Sequence, residues 1–339
     1  MRRAILWLCL LCLLLGGCVP QKAQPKHYTA TFLTLFDTVT TIVGPAESEE
    51  AFQLTAQQIH DDLERYHQLF DIYKDYEGVV NLKAVNDSAG IAPVKVDPEI
   101  MQLLTDCKTY YDLTEGKVNV MLGSVLSLWH EARTDGIRDP INAKLPDPEA
   151  LAAAAAHTDP DSLILDEAAS TVYLSDPLSS LDVGAVAKGW ACQRAAEAAP
   201  KGLLISVGGN VCATGPKTET GDPWVIGIQN PDGGDYLHTI YVHGGAVVTS
   251  GDYQRTYTVA GEKYHHIIDP ETRMPSDYWR AVTVVCPDSA LADAPSTALF
   301  LLPLGEGQAL LERCGAEALW VAKDGTEQMS PGFQEILRT

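Results

Sequence analysis

The second half of the chain carries a succession of short apolar segments, and this feature limits the possible folds more than any other. Glycine-rich turns at 232–234 and 243–245 separate several of these segments. The predicted strands are 203–207, 224–229, 238–242, 246–250 and 281–286. Because the strands come in runs rather than in strict alternation with helices, the pattern favours an α+β fold with largely antiparallel sheet over a doubly wound parallel sheet.

Helices are predicted mainly in the first half of the chain. Over 49–73, apolar residues recur at spacings of three and four, which is typical of a helix with one buried face. Pro98 and the Asp147-Pro148 pair are helix-start signals, and the second opens an alanine-rich run through 156. No linker, low-complexity tract or internal repeat interrupts 29–339, so the sequence predicts one large domain there.

The first residues predict an export signal rather than a part of the fold. Arg2 and Arg3 precede an apolar run over 4–15, which is too short to span a bilayer comfortably. The run ends in Leu-Gly-Gly-Cys, which resembles the lipobox of bacterial lipoproteins and implies a signal over 1–17 with lipid on Cys18. A plain signal peptide cut elsewhere, or an uncleaved anchor, remains an alternative. Each alternative places the protein on the extracytoplasmic side, and with the lipid it is anchored to the cell membrane through a polar tether over 18–28.

Composition excludes one class of partner. The chain has 24 Lys and Arg against 45 Asp and Glu, giving a formal net charge of −21. Nucleic acid is excluded as a partner because its phosphates require a basic face. A phosphorylated ligand would need a metal ion or local backbone donors. The cysteines beyond Cys18 show no metal-site spacing and are predicted to be buried thiols.

A glycine turn at 181–190 leads into a predicted helix that runs to 199. The free N–H groups of a helix start suit an anionic ligand, and Lys188, one turn in, could reach the same phosphate. A structural alternative is that Asp182 caps the helix while Lys188 points to solvent. Paired glycines at 208–209 follow a predicted strand and would let a ligand approach the backbone closely.

Two adjacent histidines, His265 and His266, precede Asp269 by a few residues. These three residues could be metal ligands. Neighbouring side chains on a strand point to opposite faces, however, so at most one histidine faces a given site. One histidine acting as an acid, a base or an orienting group is the more economical interpretation.

Asp293 and Thr297 lie four residues apart in a predicted helix and therefore on one face. Their carboxylate and hydroxyl oxygens suit Mg²⁺, which takes few protein oxygens and completes its octahedron with water and ligand phosphates. In the structural alternative, Asp293 is exposed near the helix start and the Thr297 hydroxyl bonds back to the helix.

Taken together, and in this order, these segments resemble the ApbE family of FAD-dependent protein flavin transferases. The resemblance begins with Phe-Asp-Thr at 36–38, covers most of the chain beyond the tether and ends with 293–297. It implies a single large ApbE-like, T-fold-related domain with mixed, largely antiparallel sheets and flanking helices. It also implies Mg²⁺-dependent transfer of FMN from FAD onto a Thr or Ser hydroxyl of an extracytoplasmic redox protein, with release of AMP.

The resemblance further implies roles for individual residues. His266 would be the base or hydroxyl orienter, and Asp293 would serve both catalysis and the metal. The implied metal ligands are the Ala185 carbonyl, Asp293 and Thr297, with Ser296 close enough to assist. The implied FAD contacts are Phe36, Tyr73, Lys117, Val118, Asn119, Asp182, Lys188 and Ile268.

Two positions depart from the family pattern, and three other functions remain open. Asn119 stands where the family often has aspartate, and 270–275 lack the Thr-Gly that tends to follow Asp-Pro, so the turn geometry there is expected to differ. The alternatives are hydrolysis of FAD to FMN and AMP, flavin binding without turnover, and a surface adhesion lipoprotein. Adhesion explains the anchor and leaves the Asp, Thr, Lys and Gly motifs unexplained.

Overall fold

The computed structural model describes residues 26–338. The predicted export signal, Cys18 and most of the tether lie outside this range. The first strand begins at Lys26, so residues 26–28 belong to a sheet rather than to the expected tether. Among the described helices, none is both long and apolar enough to cross a membrane.

An eight-stranded sheet forms the centre of the molecule, and every neighbouring pair of its strands is antiparallel. The expected α+β fold with largely antiparallel sheet is therefore confirmed. In spatial order the strands are β1 (Lys26–Leu33), β2 (Val39–Ala46), β6 (Leu204–Val207), β7 (Asn210–Ala213), β10 (Gly245–Gly251), β13 (Trp279–Cys286), β14 (Glu317–Ala322) and β15 (Glu327–Met329).

Three smaller antiparallel sheets surround the central one. The first pairs β3 (Val94–Lys95) and β4 (Leu163–Asp166) on either side of β5 (Thr171–Leu174). The other two are hairpins, β8 (Trp224–Ile228) with β9 (His238–Val242) and β11 (Tyr257–Val259) with β12 (Glu262–Tyr264).

The helices begin largely where the sequence signals indicated. Asp97 and Asp147 accept hydrogen bonds from backbone amides of the first turn and cap the helices that follow. The helices are α1 (Glu49–Phe70), α2 (Leu82–Asp87), α3 (Pro98–Leu113), α4 (Gly123–Arg138), α5 (Pro148–Ala155), α6 (Ala187–Ala198), α7 (Ser289–Leu301), α8 (Leu304–Cys314) and α9 (Pro331–Glu335).

Both faces of the central sheet are buried. Successive side chains of a strand point to opposite sides, so each strand contributes to two cores. Ala246 and Val248 of β10 share a core with the helices α3 and α7, whereas Val247 packs with the β8–β9 hairpin and Phe333 of α9. The helix α6 lies beside α7 on the helical face and contacts α1 across a separate core. This arrangement holds the first turns of α6 and the middle of α7 side by side.

Candidate active site

One cavity of about 570 Å³ opens beside the first turn of α6 and the middle of α7. Its walls come from segments far apart in the sequence, including the turn at 36–37, α4, and the loop between β10 and β11. All but one of the expected site residues within 26–338 line it. These are Phe36, Tyr73, Lys117, Val118, Asn119, Asp182, Ala185, Lys188, His266, Ile268, Asp293 and Thr297.

Ser296 does not line the cavity. Its side chain is fully buried, and its hydroxyl donates to the Asp293 carbonyl oxygen at 2.8 Å. The same hydroxyl lies 2.9 Å from the hydroxyl of Ser250, which does line the cavity. Ser296 therefore supports the helix turn that carries Asp293, and its hydroxyl also contacts the cavity residue Ser250.

The Asp293 carboxylate occupies a position where α6 and α7 nearly touch. Its Oδ2 accepts a hydrogen bond of 2.7 Å from the amide of Gly189, which lies in the first turn of α6. Amides in a first helical turn lack partners within the helix, so this bond satisfies one of them and orients the carboxylate. A Cβ atom on Gly189 would lie only 2.4 Å from the Asp293 Cβ, so this approach requires glycine.

Asp293 and Thr297 face the same cavity, as their spacing on one helix predicted. Ala185 lines the same cavity from the glycine turn that precedes α6. The site thus collects a carboxylate, a hydroxyl and a backbone carbonyl, all hard oxygen donors of the kind that Mg²⁺ prefers. These residues fit a magnesium ion.

Asp182 lies in the segment that leads into α6, and Lys188 lies in the first turn of that helix. The Asp182 carboxylate accepts a hydrogen bond of 2.8 Å from the Gly184 amide, and burial raises the pKa of its carboxyl. Among residues 26–338 the Lys188 ammonium donates only to the Gly184 carbonyl, at 3.4 Å. Lys188 lines the cavity, so its charge is available to an anionic ligand there.

The two histidines lie just after β12, which ends at Tyr264, and both line the cavity. The expectation that at most one of them faces the site is therefore wrong, because it assumed a strand there. Their hydrogen bonds nevertheless differ. Both ring nitrogens of His265 bond to backbone, Nε2 to the Ser276 carbonyl and Nδ1 to the Ile267 amide. The Nδ1 atom of His266 is buried and has no hydrogen-bond partner among the described residues. Burial, reinforced by the charges of Arg255 and Lys188, lowers the pKa of His266 to about 3. His266 is therefore a neutral imidazole with a free nitrogen.

Phe36 reaches the cavity from a strained turn between β1 and β2. Phe36 itself has φ 52, and Thr34 and Asp37 also adopt positive φ. Such conformations cost non-glycine residues free energy and tend to be kept where a site needs them. The Phe36 amide donates to Nδ1 of His67, which fixes the turn against α1.

Lys117, Val118 and Asn119 form one edge of the cavity, but their polar groups are largely committed within the protein. The Lys117 ammonium pairs with Glu271 at 2.7 Å and with Asp269 at 3.5 Å. Asn119 accepts from the Met121 amide and donates to the Thr158 carbonyl, each at 2.9 Å. An ionised aspartate at position 119 could not make the second bond, because its carboxylate has no donor.

The turn after Asp269 contains a backbone conformation that glycine adopts with less strain than other residues. Arg273 adopts φ 61, the left-handed region, within the 270–275 segment that departs from the family pattern. Its carbonyl accepts from the Trp129 indole at 2.9 Å, which ties the turn to α4.

Three cavity residues on α4 and on the loop after β10 were missed from the sequence. Tyr73 stacks on His130 with ring centroids 4.7 Å apart, and Arg133 and Arg255 lie beside them in the wall. For the two residues on α4, the signal is the helical spacing of three between His130 and Arg133, just after the 116–129 segment. No local signal marks Arg255.

An antiparallel α+β domain with this cavity defines a protein built to bind a phosphorylated ligand, because hard oxygen donors and cations face the same space. The sequence pattern of the ApbE family matches residues 34–320, so the chain belongs to the ApbE family. The family predicted from the sequence is thereby confirmed.

Named relatives and solved structures agree. A protein named FAD:protein FMN transferase from Klebsiella pneumoniae is 31% identical over 79% of this chain and 82% of its own length. One of the same name from Treponema pallidum is 30% identical over 97% and 94%. The crystal structure of the ApbE protein of Thermotoga maritima matches with a TM-score of 0.82 at 30% identity, covering 93% of this chain and all of that one. The flavin transferase ApbE of Vibrio cholerae, at 24% identity and TM-score 0.76, shows the same fold.

Proposed function

We propose that this protein transfers the FMN half of FAD onto a threonine or serine hydroxyl of another protein and releases AMP. The names of its relatives support this reaction. The observation that carries it in this chain is the meeting of Asp293 and Thr297 with Lys188 and His266 around one cavity. Together these residues can bind a phosphate group and orient a hydroxyl nucleophile.

Mg²⁺ is the metal that the oxygen donors of the cavity suit. The ligands would be the Ala185 carbonyl, the Asp293 carboxylate and the Thr297 hydroxyl, with remaining positions free for water and ligand phosphate. When bound, the ion supplies positive charge to phosphate oxygens.

The protein's own groups divide the remaining work. The acceptor oxygen forms a bond to the phosphorus on the FMN side as the bond to the oxygen of the AMP phosphate breaks. His266 is neutral and has a free ring nitrogen, so it can accept or steer the proton of the attacking hydroxyl. Lys188 offsets negative charge on the phosphate oxygens.

The setting is part of the same proposal. We propose that lipid on Cys18 anchors the protein to the extracytoplasmic side of the cell membrane, on the strength of the Leu-Gly-Gly-Cys sequence at 15–18. An acceptor on that side would be an extracytoplasmic redox protein that carries a short Asp-Gly/Ser-x-Ser/Thr-Gly/Ala-Thr segment.

The test mixes the chain from Gln21 onward with FAD, magnesium and a protein carrying that acceptor segment. The expected result is a gain in acceptor mass of one FMN phosphoester, equimolar AMP, and loss of both with a chelator. FMN and AMP without acceptor modification would instead show hydrolysis of FAD. Bound FAD with no AMP would show a binding protein, and either outcome would overturn the transferase proposal.

A further inference from the structure

We propose that Arg133 and Arg255 form a second phosphate-binding site in the cavity, which holds a phosphate of the nucleotide without the metal. The inference rests on the proposed function, because it assumes a flavin nucleotide as the ligand. It assigns a role to two cations that lie apart from Asp293 and Thr297 in the sequence and on different elements.

The two arginines reach the cavity from different walls. Arg133 lies in the penultimate turn of α4 and is half-buried, whereas Arg255 lies in the loop between β10 and β11 and is exposed. Both line the cavity. Arg255 adopts φ 47, a conformation that costs a non-glycine residue free energy.

Neither arginine has a carboxylate partner within 4.0 Å among residues 26–338. Lys117 in the same cavity shows the contrast, because Glu271 and Asp269 neutralise it. The Asp182 carboxyl feels the charge of both arginines but stays beyond that distance from them. In a chain with net charge −21, carboxylates are plentiful, so cations that line a cavity without a carboxylate partner are unexpected. They indicate an anionic ligand.

Neutral acceptors hold each guanidinium in place. One N–H of Arg133 donates to Nδ1 of His130 at 3.1 Å, and one N–H of Arg255 donates to the Phe36 carbonyl at 3.4 Å. Burial and the charge of Arg133 lower the pKa of His130, which keeps its Nδ1 an acceptor. A guanidinium has five N–H donors, so most remain for a ligand.

The chemistry of the pair favours phosphate. Burial and the charge of Arg255 lower the pKa of Arg133, so the two cations repel each other until an anion comes between them. Arginine binds phosphate through two parallel hydrogen bonds, which a fixed guanidinium can offer. FAD brings two phosphates, and the pair provides a site for one that is distinct from the Asp293 group.

The occupant could be the phosphate of the AMP half or that of the FMN half. AMP and FMN, added separately in excess chelator, distinguish the two sources by calorimetry. We expect the unaltered chain to bind at least one of them without metal. Arg133→Gln and Arg255→Gln should each weaken that binding by about tenfold, the effect of losing a charged hydrogen bond.

The matched control is Arg138→Gln on the same helix. Arg138 is exposed and pairs with Asp135 at 2.6 Å, so its removal should leave nucleotide affinity unchanged. Melting temperatures of all three variants separate loss of binding from loss of fold. Arg133→Lys, which keeps the charge and loses the paired hydrogen bonds, should fall between Arg133→Gln and the unaltered chain.

Two results would overturn the proposal. The first is that neither mononucleotide binds the folded chain in chelator. The second is that nucleotide affinity survives both glutamine substitutions, and a parallel loss of affinity for the acceptor segment would then assign the arginines to its carboxylate. Because these measurements involve no transfer, their failure is distinct from failure of the proposed reaction.

Discussion

Two regions of the cavity are built in different ways. The contact between α6 and α7 is buried and depends on direct helix contact, with the Asp293 side chain against Gly189. The second region, formed by Tyr73, His130, Arg133 and Arg255, is more exposed and depends on a few side-chain hydrogen bonds and one aromatic stack. A substitution that changes the packing of the first region should therefore disturb the fold together with the chemistry, whereas one in the second region should change ligand binding alone.

Asp293→Asn tests whether charge can be separated from packing in the α6–α7 contact. The amide oxygen can still accept from Gly189, so the fold should be retained. Loss of the carboxylate charge should lower the rate of FMN transfer by about 10²–10³-fold, the usual effect of removing one group that stabilises developing charge. Transfer kinetics and thermal melting check both parts. A variant that transfers FMN at the normal rate would exclude Asp293 as a metal ligand.

Gly189→Ala tests the packing itself. The new Cβ would lie 2.4 Å from both the Asp293 Cβ and the Ser289 carbonyl oxygen, so the helices must separate. Overpacking of this kind costs about 1–3 kcal/mol of unfolding free energy. Urea unfolding measures it, and transfer should decline with it.

The control for this change is Gly305→Ala in α8. Gly305 is exposed in a helix, and a Cβ atom added there would meet no neighbouring side chain within 4 Å. Alanine there should raise stability by about 0.5–1 kcal/mol. If both alanine substitutions had the same effect on stability, the close contact between α6 and α7 would not require glycine at position 189.

The protonation of His266 should make the stability of the protein depend on pH. Its pKa is lowered to about 3 in the folded protein, against roughly 6.5 in an unfolded chain. Between these values the unfolded state binds more protons, so the free energy of unfolding falls as pH drops below ~6.5, by up to ~1.4 kcal/mol per pH unit. His266→Gln should reduce this slope in urea titrations at pH 5–8. An unchanged slope would mean that His266 titrates normally.

Arg273→Gly should have the smallest effect and concerns the turn that supports α4. Glycine relieves the left-handed strain at φ 61 but adds freedom to the unfolded chain. The net gain in stability should be at most about 0.5–1 kcal/mol, visible as a small rise in melting temperature. A clear loss would show that the Arg273 side chain itself holds the turn.

Much of the fold could be predicted because its signals are local. The apolar spacing of Ile59, Leu63 and Phe70 identified α1, and the helix starts at Pro98 and Pro148 follow from proline and aspartate chemistry. The antiparallel sheet followed from runs of strands. Which strands neighbour one another could not be predicted, because β2 pairs with β6 across more than a hundred and fifty residues.

The site was predicted where its chemistry lies in short motifs. Asp293 and Thr297 share a helix face, and Lys188 follows a glycine turn, so their spacing was enough to make them candidate site residues. Ser296 was harder to place from the sequence, because its hydroxyl bonds to the Asp293 carbonyl and to Ser250 and does not itself line the cavity. The placement of Arg133 and Arg255 in one cavity could not be predicted either, because nothing near either residue in the sequence indicates it.

The sequence by itself determined the helix starts, the strand runs, the oxygen pair on one helix face and the resemblance to the ApbE family. Each of these depends on residues within a few positions of one another, where backbone periodicity sets which side chains meet. Only the tertiary structure decided that Gly189 lets α6 touch Asp293, that the Nδ1 atom of His266 lies buried near cations, and that two arginines have no carboxylate partner among the described residues. Those features depend on packing between distant segments, where burial and close approach set the charge and orientation of each group.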